Sequence, residues 1–265
     1  MGERPSSAQA EIAVIKAAIE RGVTLIDTAE MYGDGGAEAI ISKAVTTARE
    51  RLFVVSKVYP HNASRKGTIE ACERSLKRLR MDYLDCYLLH WPGEHPIAET
   101  VDAFESLKAQ GKIRAWGVSN FDVADMEELV AVKGGTSGAA RALGTNVATN
   151  QVLYNLSRRG VEFDLLPWQR ERGIATMAYS PIEQARLLDS PKLKAIAHDI
   201  GATPAQLAIA WLLHAPDVIV IPKTTHIARL EENLGALDLK LDNATISALN
   251  AAFSPPRKRA PLAML

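Results

Sequence analysis

Four side chains of complementary chemistry fall at the ends of three consecutive apolar runs. Asp27 closes the run TLID, and Tyr32 follows five positions later in the loop AEMYG. Lys57 closes VVSK, and His90 follows YLL. If these runs are parallel strands of a barrel, one rim receives a carboxylate, a phenol, an ammonium and an imidazole. That set suits the addition of hydride to a carbonyl, which creates an alkoxide that must be protonated as it forms. A free phenol, with a pKa of about 10, is a poor acid at neutral pH. An adjacent ammonium is expected to lower that pKa. A buried lysine would itself shed its proton without a carboxylate, and Asp27 supplies one. His90 can donate a hydrogen bond to the substrate oxygen and orient it.

Each of the four has an ordinary explanation when taken alone. A lysine at a strand end is commonly a surface charge, a histidine there a structural one, an aspartate a turn cap, and a tyrosine in such a loop a packing residue. Their joint placement on three successive strand ends carries the weight.

The elements that must hold these residues alternate along the chain. Continuous apolar runs read as buried parallel strands over Thr24–Asp27, Leu52–Lys57, Tyr83–Leu89, Ile113–Ser119, Asn150–Leu153, Ile174–Ala178 and Val218–Ile221. Helical patterns cover Ala8–Arg21, Ala37–Arg49, Ser64–Leu79, Glu99–Gln110, Val123–Val132, Phe163–Arg172, Pro191–His214, Ala228–Leu237 and Asn243–Ala252. Gly22, Gly111 and Gly173 each follow a helix and precede a strand, where a left-handed residue ends the helix. Asp122 is placed to cap the helix after it. Strict alternation points to an α/β fold, either a TIM barrel or a doubly wound sheet. No Gly-x-Gly-x-x-Gly follows a strand, which disfavours the doubly wound option. The predicted fold is a single (β/α)8 barrel domain over residues 1–265. Seven strands are visible and the chain opens on a helix, so the first strand is expected to be missing, leaving the strands at Thr24 and Val218 with unpaired edges. Gly134–Gly144, rich in Gly and Ala, reads as a surface loop.

Composition narrows the function class. The 31 basic residues balance the 31 acidic ones, and the one basic run, Arg257–Arg259, is a short tail. No basic face argues for nucleic acid. No stretch approaches the roughly 20 apolar residues of a membrane helix, and residues 1–11 do not resemble a signal peptide. Cys72 and Cys86 lack metal-ligand spacing and read as buried free thiols, and none of the six histidines pairs as His-x-x-x-His, so no metal is expected. A soluble, cytoplasmic protein acting on a small molecule is the expectation.

Across almost the whole chain the sequence resembles the aldo-keto reductase family. IDTAEMYG, VVSKV, LLHWP, WGVSNF, NQVLYN, AYSP and IPKTTHIARLEEN match that family's motifs in its order. The resemblance implies a catalytic tetrad of Asp27, Tyr32, Lys57 and His90, with the tyrosine as general acid. It implies that Ser119, Asn120 and Gln151 hold the nicotinamide carboxamide, that Tyr179 stacks on its ring, and that Ser180 lies near the pyrophosphate. Lys223, Thr224 and Arg229 match the residues that grip the 2′-phosphate, and Glu232 and Asn233 those that hold the adenine, so the implied cofactor is NADPH. Tyr59 and Trp91 match substrate-lining positions. Short loops after His90 and Tyr179 and a short C-terminal tail resemble bacterial members with open sites, and imply small aldehydes or ketones such as methylglyoxal; the resemblance to relatives that are often monomers implies a monomer. Family members begin with a hairpin and a first strand that this sequence does not show. A cofactor-binding module without turnover is the competing reading.

Overall fold

The computed structural model describes residues 1–45, 48–132 and 146–265. Gly134–Gly144, expected to be a surface loop, and residues 46–47 lie outside them. Two compact units make up the described chain, Met1–Thr149 and Asn150–Leu265.

The first unit opens on α1 (Ala8–Glu20), followed by β1 (Leu25–Asp27), α2 (Gly36–Ala44), β2 (Phe53–Val58), α3 (Arg65–Leu79), β3 (Leu84–Leu89), α4 (Ile97–Ala109), β4 (Ile113–Ser119) and α5 (Val123–Ala131). Strands β1 to β4 pair in sequence order, all parallel. The register sets Asp27 opposite Val55 and Lys57 opposite Leu88. All six residues of β3 are buried, as expected of a strand covered on both faces. Beneath it, Trp116 stacks on Phe104 at 5.5 Å between centroids, and Phe104 meets the edge of Tyr87 at 5.8 Å. The indole of the fully buried Trp116 donates to Glu105 at 2.7 Å, so its polar atom is satisfied. Asp122 caps α5 as anticipated: its carboxylate accepts from the Asp125 amide, and the Asp125 carboxylate accepts from the Asp122 amide. Gly22 and Gly111 adopt the left-handed backbone expected of them, with φ of 88° and 72°.

The chain enters the second unit within β5 (Val147–Leu153). There follow α6 (Leu165–Glu171), β6 (Ala175–Tyr179), α7 (Pro191–Asp199), α8 (Pro204–His214), β7 (Val218–Ile221), α9 (Ile227–Leu234) and α10 (Asn243–Ala252). Strand β6 pairs with β7 in parallel, Tyr179 opposite Ile221. The single helix expected over Pro191–His214 is two helices. Gly201 takes a φ of 67°, Pro204 excludes helical backbone at Thr203, and Thr203 with Gln206 forms a reciprocal cap that starts a new helix.

The described residues hold seven strands, as expected. No residue of β1 or β7 is fully buried, in contrast to β3. These are the two strands expected to carry unpaired edges. Among the described residues no helix is long and apolar enough to cross a membrane, and no group of three or more His, Cys, Asp and Glu residues could hold a metal ion. Cys72 and Cys86 are free and buried, as read from the sequence, and burial pushes both thiols up to about 12.

Candidate active site

The strand register of the first unit brings the four predicted residues together. Asp27 ends β1, Lys57 lies next to last in β2, and His90 follows β3, its amide bonded to the Val58 carbonyl. The loop after β1 curls back so that Tyr32 reaches the same place. Lys57 is fully buried, and its ammonium spends all three protons locally. It donates to Asp27 Oδ2 at 2.7 Å, to the Thr28 carbonyl at 2.8 Å and to Tyr32 Oη at 3.4 Å. The Thr28 carbonyl is a ligand of the ammonium that residue types could not announce, since any residue there supplies one. His90 meets the Tyr32 ring edge-on at 5.6 Å.

Protonation states follow from burial and charge. Burial alone would strip Lys57, but the Asp27 charge and the Tyr32 hydroxyl outweigh it and raise the ammonium above the usual lysine range. His90 is pushed down to about 3, first by burial and then by the Lys57 charge. It is therefore a neutral imidazole, with one N–H to donate. For Tyr32 the sequence expectation needs correction. Burial raises the phenol above its ordinary value, and the attraction of Lys57 offsets only part of that rise.

The neighbouring sequence-predicted residues sit close by within this unit. Ser119 ends β4, and Asn120 follows it with a φ of 60°, a conformation Asn tolerates better than most residues. Its side-chain amide donates to the His90 carbonyl at 3.1 Å and to Ser119 Oγ at 3.0 Å. Trp91 packs against His90 at 4.8 Å and against Tyr59 at 5.1 Å, giving the site an aromatic border.

The second unit carries the remaining predicted residues. Gln151 is buried in β5, with its amide 3.9 Å from Met177 Sδ. Tyr179 ends β6, and the segment after it is strained: Ser180, Glu183, Gln184 and Ala185 all take φ between 50° and 72°. Two residues that the motifs did not single out hold it. Asn155 donates to the Ser180 carbonyl at 2.9 Å and to Glu183 at 2.7 Å, and Arg158 pairs with Glu183 at 2.9 Å. The available signal was the acid Glu183 beside the motif, which burial makes dependent on a partner. Past β7, Lys223 and Arg229 are exposed, and Thr224 accepts from the His226 amide at 3.1 Å just ahead of α9. Arg229 lies in the first turn of α9, and Glu232 and Asn233 near its end. Two cations and a hydroxyl at a helix start fit a phosphate group.

The aldo/keto reductase family model matches residues 1–253. This chain belongs to the aldo/keto reductase family. It is 47% identical over 270 residues to the methylglyoxal reductase YeaE of Escherichia coli, covering all of this chain and 92% of that protein. It is 37% identical over 238 residues to a glyoxal reductase of Bacillus subtilis, covering 89% of this chain and 81% of that one. Among solved structures, an aldo-keto reductase from Klebsiella pneumoniae in complex with NADPH matches with a TM-score of 0.94 and 44% identity, over all of this chain and 92% of that one. The fold class of this aldo/keto reductase is accordingly the (β/α)8 barrel, as its alternating elements predict, with seven strands in the described residues.

Proposed function

We propose that this aldo/keto reductase uses NADPH to reduce small aldehydes and ketones, dicarbonyls such as methylglyoxal and glyoxal foremost, with Tyr32 as the proton donor. The observation that carries the reading is the buried Lys57 ammonium, bonded at once to Asp27 and to the Tyr32 hydroxyl. The relatives named methylglyoxal reductase and glyoxal reductase support the substrate class, and the NADPH complex of a structural neighbour supports the cofactor.

Ser119, Asn120 and Gln151 would hold the carboxamide of the nicotinamide, Tyr179 would stack on its ring, and Ser180 would lie by the pyrophosphate. Lys223, Thr224 and Arg229 would take the 2′-phosphate, with Glu232 and Asn233 at the adenine. When bound, the cofactor supplies the hydride. The protein supplies everything else. His90, held neutral, donates to the substrate oxygen and fixes its direction. Tyr59 and Trp91 border the carbonyl compound and keep water from it.

Burial keeps the Tyr32 proton in place until the carbonyl oxygen gains alkoxide character and becomes the stronger base. The proton then leaves Tyr32 Oη for that oxygen. The phenolate left behind is stabilised by the Lys57 ammonium at 3.4 Å, and Asp27 keeps that ammonium charged. The ammonium thus favours the product side of the transfer, which is compatible with a resting phenol whose pKa is raised.

The test is loss of NADPH absorbance on adding methylglyoxal or glyoxal. Turnover of neither, nor of any small aldehyde, by folded protein that binds NADPH would refute the reading. For the cofactor, Arg229→Ala is expected to weaken NADPH binding about tenfold or more, the size of a lost charge-assisted hydrogen bond. NADH, which lacks the phosphate, should hardly change. Quenching of protein fluorescence gives both dissociation constants, and equal weakening of the two cofactors would defeat the phosphate assignment.

A further inference from the structure

Two loops meet beside the Tyr32 hydroxyl and the Lys57 ammonium. One follows β1 and carries Tyr32; the other follows β2 just past Lys57. Main-chain bonds join them, firmly at Thr28, whose amide donates to the Val55 carbonyl at 2.9 Å, and weakly nearer Tyr32, where the Glu30 amide reaches the Lys57 carbonyl at 3.4 Å. Next to Tyr32 the firmer tie is a side chain. Glu30, two residues before Tyr32 and only 9% exposed, turns away from the tetrad. Its Oε1 accepts from the Tyr59 amide at 2.8 Å and from the Asn62 side-chain amide at 3.0 Å. Its Oε2 faces Arg74 at 3.7 Å and Arg78 at 4.0 Å, one helical turn apart on α3.

A second carboxylate closes the arrangement on the far side of Tyr32. Glu38, with no exposure at all, pairs with Arg78 Nε at 2.6 Å and accepts from Ser56 Oγ at 2.6 Å. Ser56 precedes Lys57 directly. Arg78 reaches both acids by passing over Gly35, where an added Cβ would stand 2.6 Å from its Cδ and Nε. The chain on both sides of Tyr32 is therefore bound to the chain on both sides of Lys57, and a helix outside the site carries the cations that fix the two acids. None of these groups donates to or accepts from Tyr32 or Lys57 side chains, so their contribution is to geometry.

We propose that Glu30 is a positioning residue for the reduction: by bonding the Tyr59 amide and facing Arg74 and Arg78, it sets the spacing of the Tyr32 hydroxyl from the Lys57 ammonium. The proposal rests on the reading of Tyr32 as proton donor. Misplacing a reacting group by about 1 Å can cost up to about a hundredfold in rate. Glu30→Ala is expected to lower kcat with methylglyoxal about tenfold or more, while the dissociation constant for NADPH moves less than about twofold. That retained NADPH affinity excludes loss of folded protein as the cause, and Glu30→Gln, which keeps an oxygen for the two amide donors, should restore most of the rate.

The deciding measurement is a cycle with Tyr32→Phe. If Glu30 acts through the Tyr32 hydroxyl, adding Glu30→Ala to Tyr32→Phe costs little further rate, because the group being positioned is already gone. Full additivity of the two losses overturns the proposal, and so does a Glu30→Ala enzyme with the wild-type kcat. These two results leave the proton-donor reading standing when Tyr32→Phe alone lowers kcat about a hundredfold or more. Wild-type turnover by Tyr32→Phe would instead remove that reading, and the positioning role with it.

Discussion

Tyr32→Phe should lower kcat for carbonyl reduction by about a hundredfold to ten-thousandfold, the usual contribution of a general acid, and leave NADPH binding unchanged. The substitution removes one oxygen and little else. The ring keeps its edge contact with His90 at 5.6 Å and its place 4.9 Å from the Lys57 ammonium. Only the 3.4 Å hydrogen bond is lost, so the variant should fold and melt close to the wild type. The pH profile of the wild type adds a second check. Activity requires the protonated phenol, so kcat should fall only as pH rises through a value above the ordinary tyrosine pKa of about 10. His90, at about 3, contributes no limb between weakly acidic and neutral pH. A variant that retains turnover within a few-fold, or a wild-type profile that breaks near pH 6.5 as a free histidine would, contradicts the assignment.

Lys57→Met should cost both activity and stability. Lysine at this position is fully buried and Asp27 is only 11% exposed on its side chain. Removing the cation leaves the carboxylate without that ammonium, and breaking a buried pair from one side costs about 3–5 kcal/mol. Methionine fills much of the volume, so the loss is chiefly electrostatic. The sign of the pH dependence follows from the raised lysine pKa. The pair stabilises the fold fully below the unfolded lysine value of about 10.4, and the stabilisation is lost as pH rises through the higher folded value. The deficit of the variant should therefore be full at neutral pH and shrink at strongly alkaline pH. Urea unfolding of both proteins across that range measures it. A variant as stable as the wild type at neutral pH would show that the ammonium is not held as described.

Much of this was legible in the residues. Continuous apolar runs mark the seven strands of the described residues to within a few positions, because strands covered on both faces leave little room for polar residues. The tetrad was legible for the same reason: strand ends in a parallel sheet are collinear, so Asp27, Lys57 and His90 must share a rim once the strands are placed. Other features depended on depth or on distant contacts. The direction of the Tyr32 shift turns on how deeply the phenol is buried, which spacing does not reveal. The break between α7 and α8 hid inside an unbroken apolar periodicity, although Gly201 and the Thr203–Pro204 pair signalled it. The Glu30 tie joins residues 29 and 32 positions apart, and the acid looks in sequence like one more charge in a polar loop.

The two cysteines give this half of the molecule an internal clock. Cys72 lies in α3, which carries Arg74 and Arg78, and Cys86 lies in β3, which leads to His90. With both thiols near 12 and sealed, the folded protein offers an alkylating reagent almost no thiolate to attack. Each modification event would then mark an excursion in which the scaffold behind the Lys57 ammonium comes apart. The rate of labelling at saturating reagent would equal the frequency of those excursions, read without any dye or engineered reporter.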